Sequence, residues 1–96
     1  MNSATRQAVL AEWVRQLTAR GYESLRQRYF ETLVDEVFEC AGKRYDVTTE
    51  AVWDAGVEGD LRVFIEISDA LEAPPRTILD ADVIATPDGS IIQAGD

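Results

Sequence analysis

Polar and apolar positions follow two different rhythms along this chain, and the change falls near Val34. From Ser3 to Arg20 the apolar residues Val9, Leu10, Trp13, Val14 and Leu17 stand at i, i+1, i+4, i+5 and i+8. At about 100° per residue they cover an arc of about 140°, which describes a helix with one buried face. Ser3 or Thr5 is placed to cap its start, Arg20 complements the negative end of the helix dipole, and Gly21 suits the residue that terminates a helix. Ser24 followed by Gln27 reads as a capping box for a second helix, with Leu25, Tyr29 and Leu33 at four-residue spacing. Running on to Cys40 would set Asp35, Glu36 and Glu39 against the negative end of the dipole, so the expected end is near Leu33 or Val34. Arg26 projects to the side of Tyr22, Leu33 and Val37. Its stem is expected to pack on apolar surface, or its head to pair with an acid of the following segment.

Beyond Val34 the period is two. Phe38 and Cys40, then Tyr45, Val47, Thr49, Ala51 and Trp53, alternate with Glu39, Arg44, Asp46, Thr48, Glu50 and Asp54. This predicts a strand, a tight turn at Ala41-Gly42, and a longer strand with one wet face, on which Trp53 and Tyr45 face inward. After the glycine-containing loop Ala55 to Asp60, Leu61, Val63, Ile65 and Ile67 alternate with Arg62, Phe64, Glu66 and Ser68, the clearest strand in the sequence. Phe64 falls on the polar face, so a helix, the C-terminal segment or a second copy of the chain is expected to cover it. Asp69 to Arg76, with Pro74-Pro75, reads as an extended connection long enough to cross the sheet. Val83 to Ala85, the turn Thr86-Pro87-Asp88-Gly89-Ser90, and Ile91-Ile92 read as a final hairpin or as an edge strand with a short return. The expected architecture is a single α+β domain over residues 1–96. A helical part (1–34) of two helices packs on a three- to four-stranded antiparallel sheet (35–96).

Composition bounds what such a domain can do. At 96 residues, 46% hydrophobic and 28% charged, the chain affords one core and is too apolar for disorder. No apolar run approaches the ~18 residues of a membrane span, and the opening residues are polar, which together predict a cytoplasmic protein. The net charge of −9 divides unevenly. Residues 1–28 carry five arginines against two acids, and residues 29–96 carry four bases against sixteen acids, giving +3 and −12. Nucleic acid and anionic membrane share the sign of the larger part, and the arginines of the first helix form no stripe, so neither partner is expected.

Candidate chemistry is sparse. Without histidine, serine or cysteine nucleophiles lack their usual activator, and Cys40 beside Glu39 is a poor thiolate. One cysteine and no histidine supply neither a disulfide nor a zinc ligand set. Gly56 to Asp60 has two glycines but no lysine, and its acids repel phosphate. Asp80 and Asp82 share one face if extended, and with Asp88 they are the candidate ligands for a hard cation. The expectation is nevertheless that there is no cofactor, metal or catalytic residue.

The stretch Gly42 to Ser90 resembles a group of small bacterial proteins with no assigned activity. The likeness is carried by Gly42-Lys43-Arg44-Tyr45, Val52-Trp53-Asp54, Gly59-Asp60-Leu61-Arg62-Val63, Ile67-Ser68-Asp69 and Pro87-Asp88-Gly89-Ser90. It covers about half the chain and implies an N-terminal helical part followed by an antiparallel sheet.

The leading functional expectation is a non-enzymatic module of the immunity or antitoxin type that neutralises a basic protein. Asp54, Glu58, Asp60, Glu66 and Asp69, around one end of the sheet, would carry the complementary charge, and Trp53 or Phe64 would be the apolar anchor. A homodimer through the face bearing Phe64 is a further possibility. The alternatives are a small-ligand carrier, with a pocket lined by Trp13, Tyr29, Tyr45 and Trp53, and an enzyme using paired carboxylates.

Overall fold

The computed structural model describes residues 3–69 and 77–93. Among them are two helices, α1 (Ser3–Arg20) and α2 (Tyr22–Tyr29), and five strands, β1 (Val34–Cys40), β2 (Lys43–Trp53), β3 (Leu61–Asp69), β4 (Thr77–Ala85) and β5 (Ile91–Gln93). The strands form one antiparallel meander in the order β1-β2-β3-β4-β5, so successive strands are neighbours and no crossover is needed between β3 and β4. Both helices pack on one face, as the two rhythms predict, on a sheet larger than the three or four strands expected. The additional length lies in β4. The expected strand begins at Val83, yet β4 starts at Thr77, brings Ile78 and Leu79 against the core, and carries Asp80 and Asp82 on its outward side. Pro74-Pro75 and the rest of 70–76 lie outside the described residues.

α1 ends where its composition says. Gly21 adopts φ 85°, its N–H donates to Thr18 O, and the next helix begins at once. α2 departs from expectation at both ends. Its N-cap is Gly21 and not Ser24, which lies inside the helix, and no side chain caps it. It stops at Tyr29 because Phe30 turns to an extended conformation, forms a bridge with Ala51, and sets its ring 4.9 Å from that of Trp53. Glu31 N–H then donates to Ala51 O at 2.8 Å, fastening the helix exit to β2 near its end. Leu33, at helical spacing from Tyr29, is 70% exposed, and Val34 already belongs to β1. Arg26 pairs with Glu23 of its own helix at 2.9 Å.

The core lies between the helices and the inner rows of the sheet. Val9, Trp13 and Leu17 of α1 and Leu25 and Tyr29 of α2 meet Phe38, Tyr45, Val47, Ala51, Leu61, Val63, Ile65, Ile67 and Val83. Trp13, Phe38 and Tyr45 form an aromatic row, with ring centroids 5.1 and 5.8 Å apart. Thr49 is the one buried polar residue among those described, and its hydroxyl accepts a hydrogen bond from Trp13 Nε1 at 3.2 Å. The turn Ala41-Gly42 has positive φ at both residues, 53° and 78°, as a two-residue hairpin requires.

Candidate functional site

The pleat that turns Leu61, Val63, Ile65 and Ile67 into the core sends Arg62, Phe64 and Glu66 to the other side, where no described helix or strand covers them. The register sets their neighbours. Glu50 and Asp82 flank Phe64, Thr48 and Asp80 flank Glu66, and Val52 and Ile84 flank Arg62. Phe64 is 42% exposed. It forms part of a shallow depression of about 340 Å³, which Glu50, Glu66, Asp80, Asp82, Thr48 and Leu33 also line.

By register the open face carries Asp35, Glu39, Asp46, Glu50, Glu66, Asp80 and Asp82, against Arg44 and Arg62. Arg62 is engaged on both sides, with Nε 3.0 Å from Asp54 and Nη1 2.6 Å from Asp82, and these carboxylates hold its guanidinium more firmly charged. Glu66 stands directly opposite Asp80. Such a like-charge pair disfavours the strand pairing that contains it, so its presence is a local conflict that the fold does not need. Glu66 also accepts a hydrogen bond from Thr77 Oγ1 at 3.0 Å.

The residues expected to form one docking site are distributed over three places. Asp54, Glu58 and Asp60 lie at the β2–β3 loop. There Asp54 N–H donates to Asp60 O, Glu58 has φ 63°, and Tyr22 Oη donates to Gly59 O at 2.5 Å. Phe64 and Glu66 lie mid-face. Asp69 ends β3 at the opposite end, opposite Tyr45, with Lys43 Nζ 2.7 Å from its carboxylate. They do not all surround one end of the sheet. Trp53, half-buried against Phe30, belongs to the covered side, leaving Phe64 as the anchor candidate on the open one. Glu50, Asp80 and Asp82 were not among the expected docking residues. The proximity of Glu50 to Phe64 follows from the β2–β3 register, closed by the apolar pair Trp53 and Leu61, and that of Asp80 and Asp82 from the β3–β4 register, closed by Leu61 and Ala85.

Asp80 and Asp82 do share a face, but Asp88 is held in its own turn, accepting from Thr86 Oγ1 and from Ser90 N–H. Among the described residues no group of three or more acidic, cysteine or histidine side chains is arranged to hold a metal. Cys40 is half-buried, with Sγ 3.8 Å from Ala8 O.

A second polar cluster seals the edge of the core. Tyr29 Oη donates to Glu36 Oε1 at 2.5 Å and accepts from Arg20, while Arg20 and Arg28 reach Glu36 at 3.3 and 3.4 Å. Burial, reinforced by the adjacent Glu36 carboxylate, pushes the Tyr29 hydroxyl up to about 12. At Glu36 burial acts in the same upward direction, but the Tyr29 hydrogen bond and the two guanidiniums outweigh it and hold the carboxyl below its ordinary range. Arg20 also lies over the Trp13 ring, 5.2 Å from its centroid. Glu36 sits on the inner side of β1, so this cluster joins both helices to the sheet and is a structural clasp.

Compared with family models, curated proteins and solved structures, the chain finds no match. No described helix is long and apolar enough to cross a membrane.

Proposed function

We propose that this protein is a non-enzymatic binding module whose open sheet face docks a basic polypeptide. The observation that carries the reading is Phe64, exposed at mid-sheet and flanked by Glu50, Glu66, Asp80 and Asp82. An aromatic anchor set among carboxylates, with the neighbouring Arg62 already held by Asp54 and Asp82, combines desolvation at the centre of an interface with electrostatic selection at its rim. A second copy of the chain would bring acids against acids on this face, which disfavours the homodimer. Trp13, Tyr29 and Tyr45, expected to line a ligand pocket, are packed in the core, so the carrier reading has no cavity to argue from at those residues. A partner-neutralising role of the immunity or antitoxin type is compatible with this face and would make the partner a basic protein.

The test is fluorescence anisotropy with a labelled peptide in which lysine alternates with valine, titrated with the full chain at low and high salt. Binding that weakens steeply with salt, that Phe64→Ser reduces at least tenfold, and that Glu31→Gln leaves unchanged is expected. Binding that is indifferent to salt or to Phe64, or none to any lysine-containing peptide, overturns the proposal.

A further inference from the structure

The two outer strands of the sheet differ in what they offer. β5 pairs with β4 only at Val83, Ile84 and Ala85, so among the described residues Thr77 to Asp82 have no neighbour on the side away from β3. Among the described residues this leaves about 20 Å of strand edge without a neighbour. It contains no lysine or proline, and its charges, Asp80 and Asp82, repel an acidic strand and admit a basic one. Alongside it runs a groove of about 690 Å³, walled by Arg6, Gln7 and Leu10 of α1 and by Thr77 to Asp80 of β4. At the other outer strand, β1, the carboxylates already have partners: Arg20 and Arg28 converge on Glu36, Asp35 accepts from Thr48 Oγ1, and Glu39 stands opposite Arg44.

We infer that the basic partner engages by strand addition, pairing its backbone with the Thr77–Asp82 edge of β4 in line with β5. The inference rests on the reading of the open face as a surface for a basic polypeptide, and it adds the mode of binding and the pattern the partner must have. A strand added here lies about 4.8 Å from β4, and its side chains alternate between the two faces. Those on the open side stand across from Asp80 and Asp82, where a lysine or arginine meets carboxylates at cross-strand distance. Those on the other side enter the groove beside Leu10, Ile78 and Leu79, where an apolar side chain fits. The partner segment is therefore an extended run in which basic and apolar residues alternate. A basic helix or a block of lysines satisfies one side only.

The experiment uses the full chain, the alternating lysine–valine peptide, a scrambled peptide of the same composition, and the alternating peptide N-methylated on every second amide in either phase. Strand addition predicts that scrambling weakens binding at least tenfold and that one N-methylation phase abolishes it while the other is tolerated. It also predicts that backbone amides of Thr77 to Asp82, but not of Val34 to Cys40, gain hydrogen-exchange protection in the complex. If the alternating peptide binds through Phe64 with no gain at β4 and no effect of N-methylation, strand addition is wrong and the docking face stands. If no basic peptide binds, both fail. Protection of the β4 amides already complete without peptide, whether from the chain itself or from a dimer detected by light scattering, also overturns strand addition.

Discussion

The two faces of the sheet are built by the same strands and obey opposite rules. On the covered face, apolar rows meet two helices, and the buried hydroxyl of Thr49 has its partner in the Trp13 indole. On the open face, an exposed phenyl ring sits among carboxylates, and Glu66 opposes Asp80 across a strand pair. Alternation guarantees that each residue serves only one face. Core packing and surface chemistry can therefore be varied with little interference, and the conflict on the open face costs only the small repulsion of one strand pair.

The largest expected effect tests the covered side. Trp13→Ala removes the indole from its place between Leu17 and Phe38 and should lower unfolding free energy by about 3–5 kcal/mol in a denaturant titration, whereas Phe64→Ala should change it by only about 0.5 kcal/mol. Comparable losses from the two substitutions would erase the distinction. Next is Thr49→Val, which keeps the shape but leaves the Trp13 N–H without an acceptor. A loss of about 2 kcal/mol is expected, and the double variant with Trp13→Phe should cost less than the sum of the single changes.

The clasp comes third. Tyr29→Phe deletes the hydrogen bond to Glu36 and should cost about 1.5 kcal/mol. It should also flatten the alkaline limb of the stability profile. The folded-state value of Tyr29 is raised from 10.0 to about 12, so its contribution is complete below pH 10 and is lost as pH climbs to about 12. Glu36 behaves in the opposite sense. Its lowered value means a contribution present above the ordinary carboxylate range and lost as pH falls through its folded value, an acid-side loss that Glu36→Gln should remove. Thermal melts across pH, compared between the wild-type chain and the two variants, measure both. The smallest effect carries the opposite sign. Asp80→Asn relieves the repulsion with Glu66 and should stabilise the protein by about 0.2–1 kcal/mol, while weakening capture of a basic peptide. Destabilisation by Asp80→Asn would place Asp80 among the structural residues.

Most of the covered face was legible because burial imposes a period. Val9, Trp13 and Leu17, and Leu61 to Ile67, could hardly be arranged otherwise. The end of α2 was not legible, because Leu33 continues the four-residue spacing by coincidence. What stops the helix is a tertiary event, Phe30 reaching Trp53 and Ala51 some twenty residues away. The beginning of β4 was hidden for a different reason, since Asp80 and Asp82 on its outward face separate the apolar Ile78-Leu79 from Val83 to Ala85. The docking residues were half visible. Phe64 and Glu66 stand out on their own strand, but Glu50, Asp80 and Asp82 join them only through pairing register, which follows from closing two hairpins.

The Trp13–Thr49 contact has a meaning apart from its strength. An apolar helix face can slide along an apolar sheet face with little penalty, because each valine or isoleucine presents much the same surface as the next. The inward neighbours of Thr49 along β2 are Val47 and Ala51, neither of which has a side chain able to receive the indole proton. A shift of α1 by one position along the strand leaves a buried donor stranded, so the hydroxyl works as an index pin that gives the helix layer a single address on the sheet. A repacked core that dispensed with this pair could remain stable and still lose the alignment that holds the outer face and the β4 edge in a fixed relation to α1.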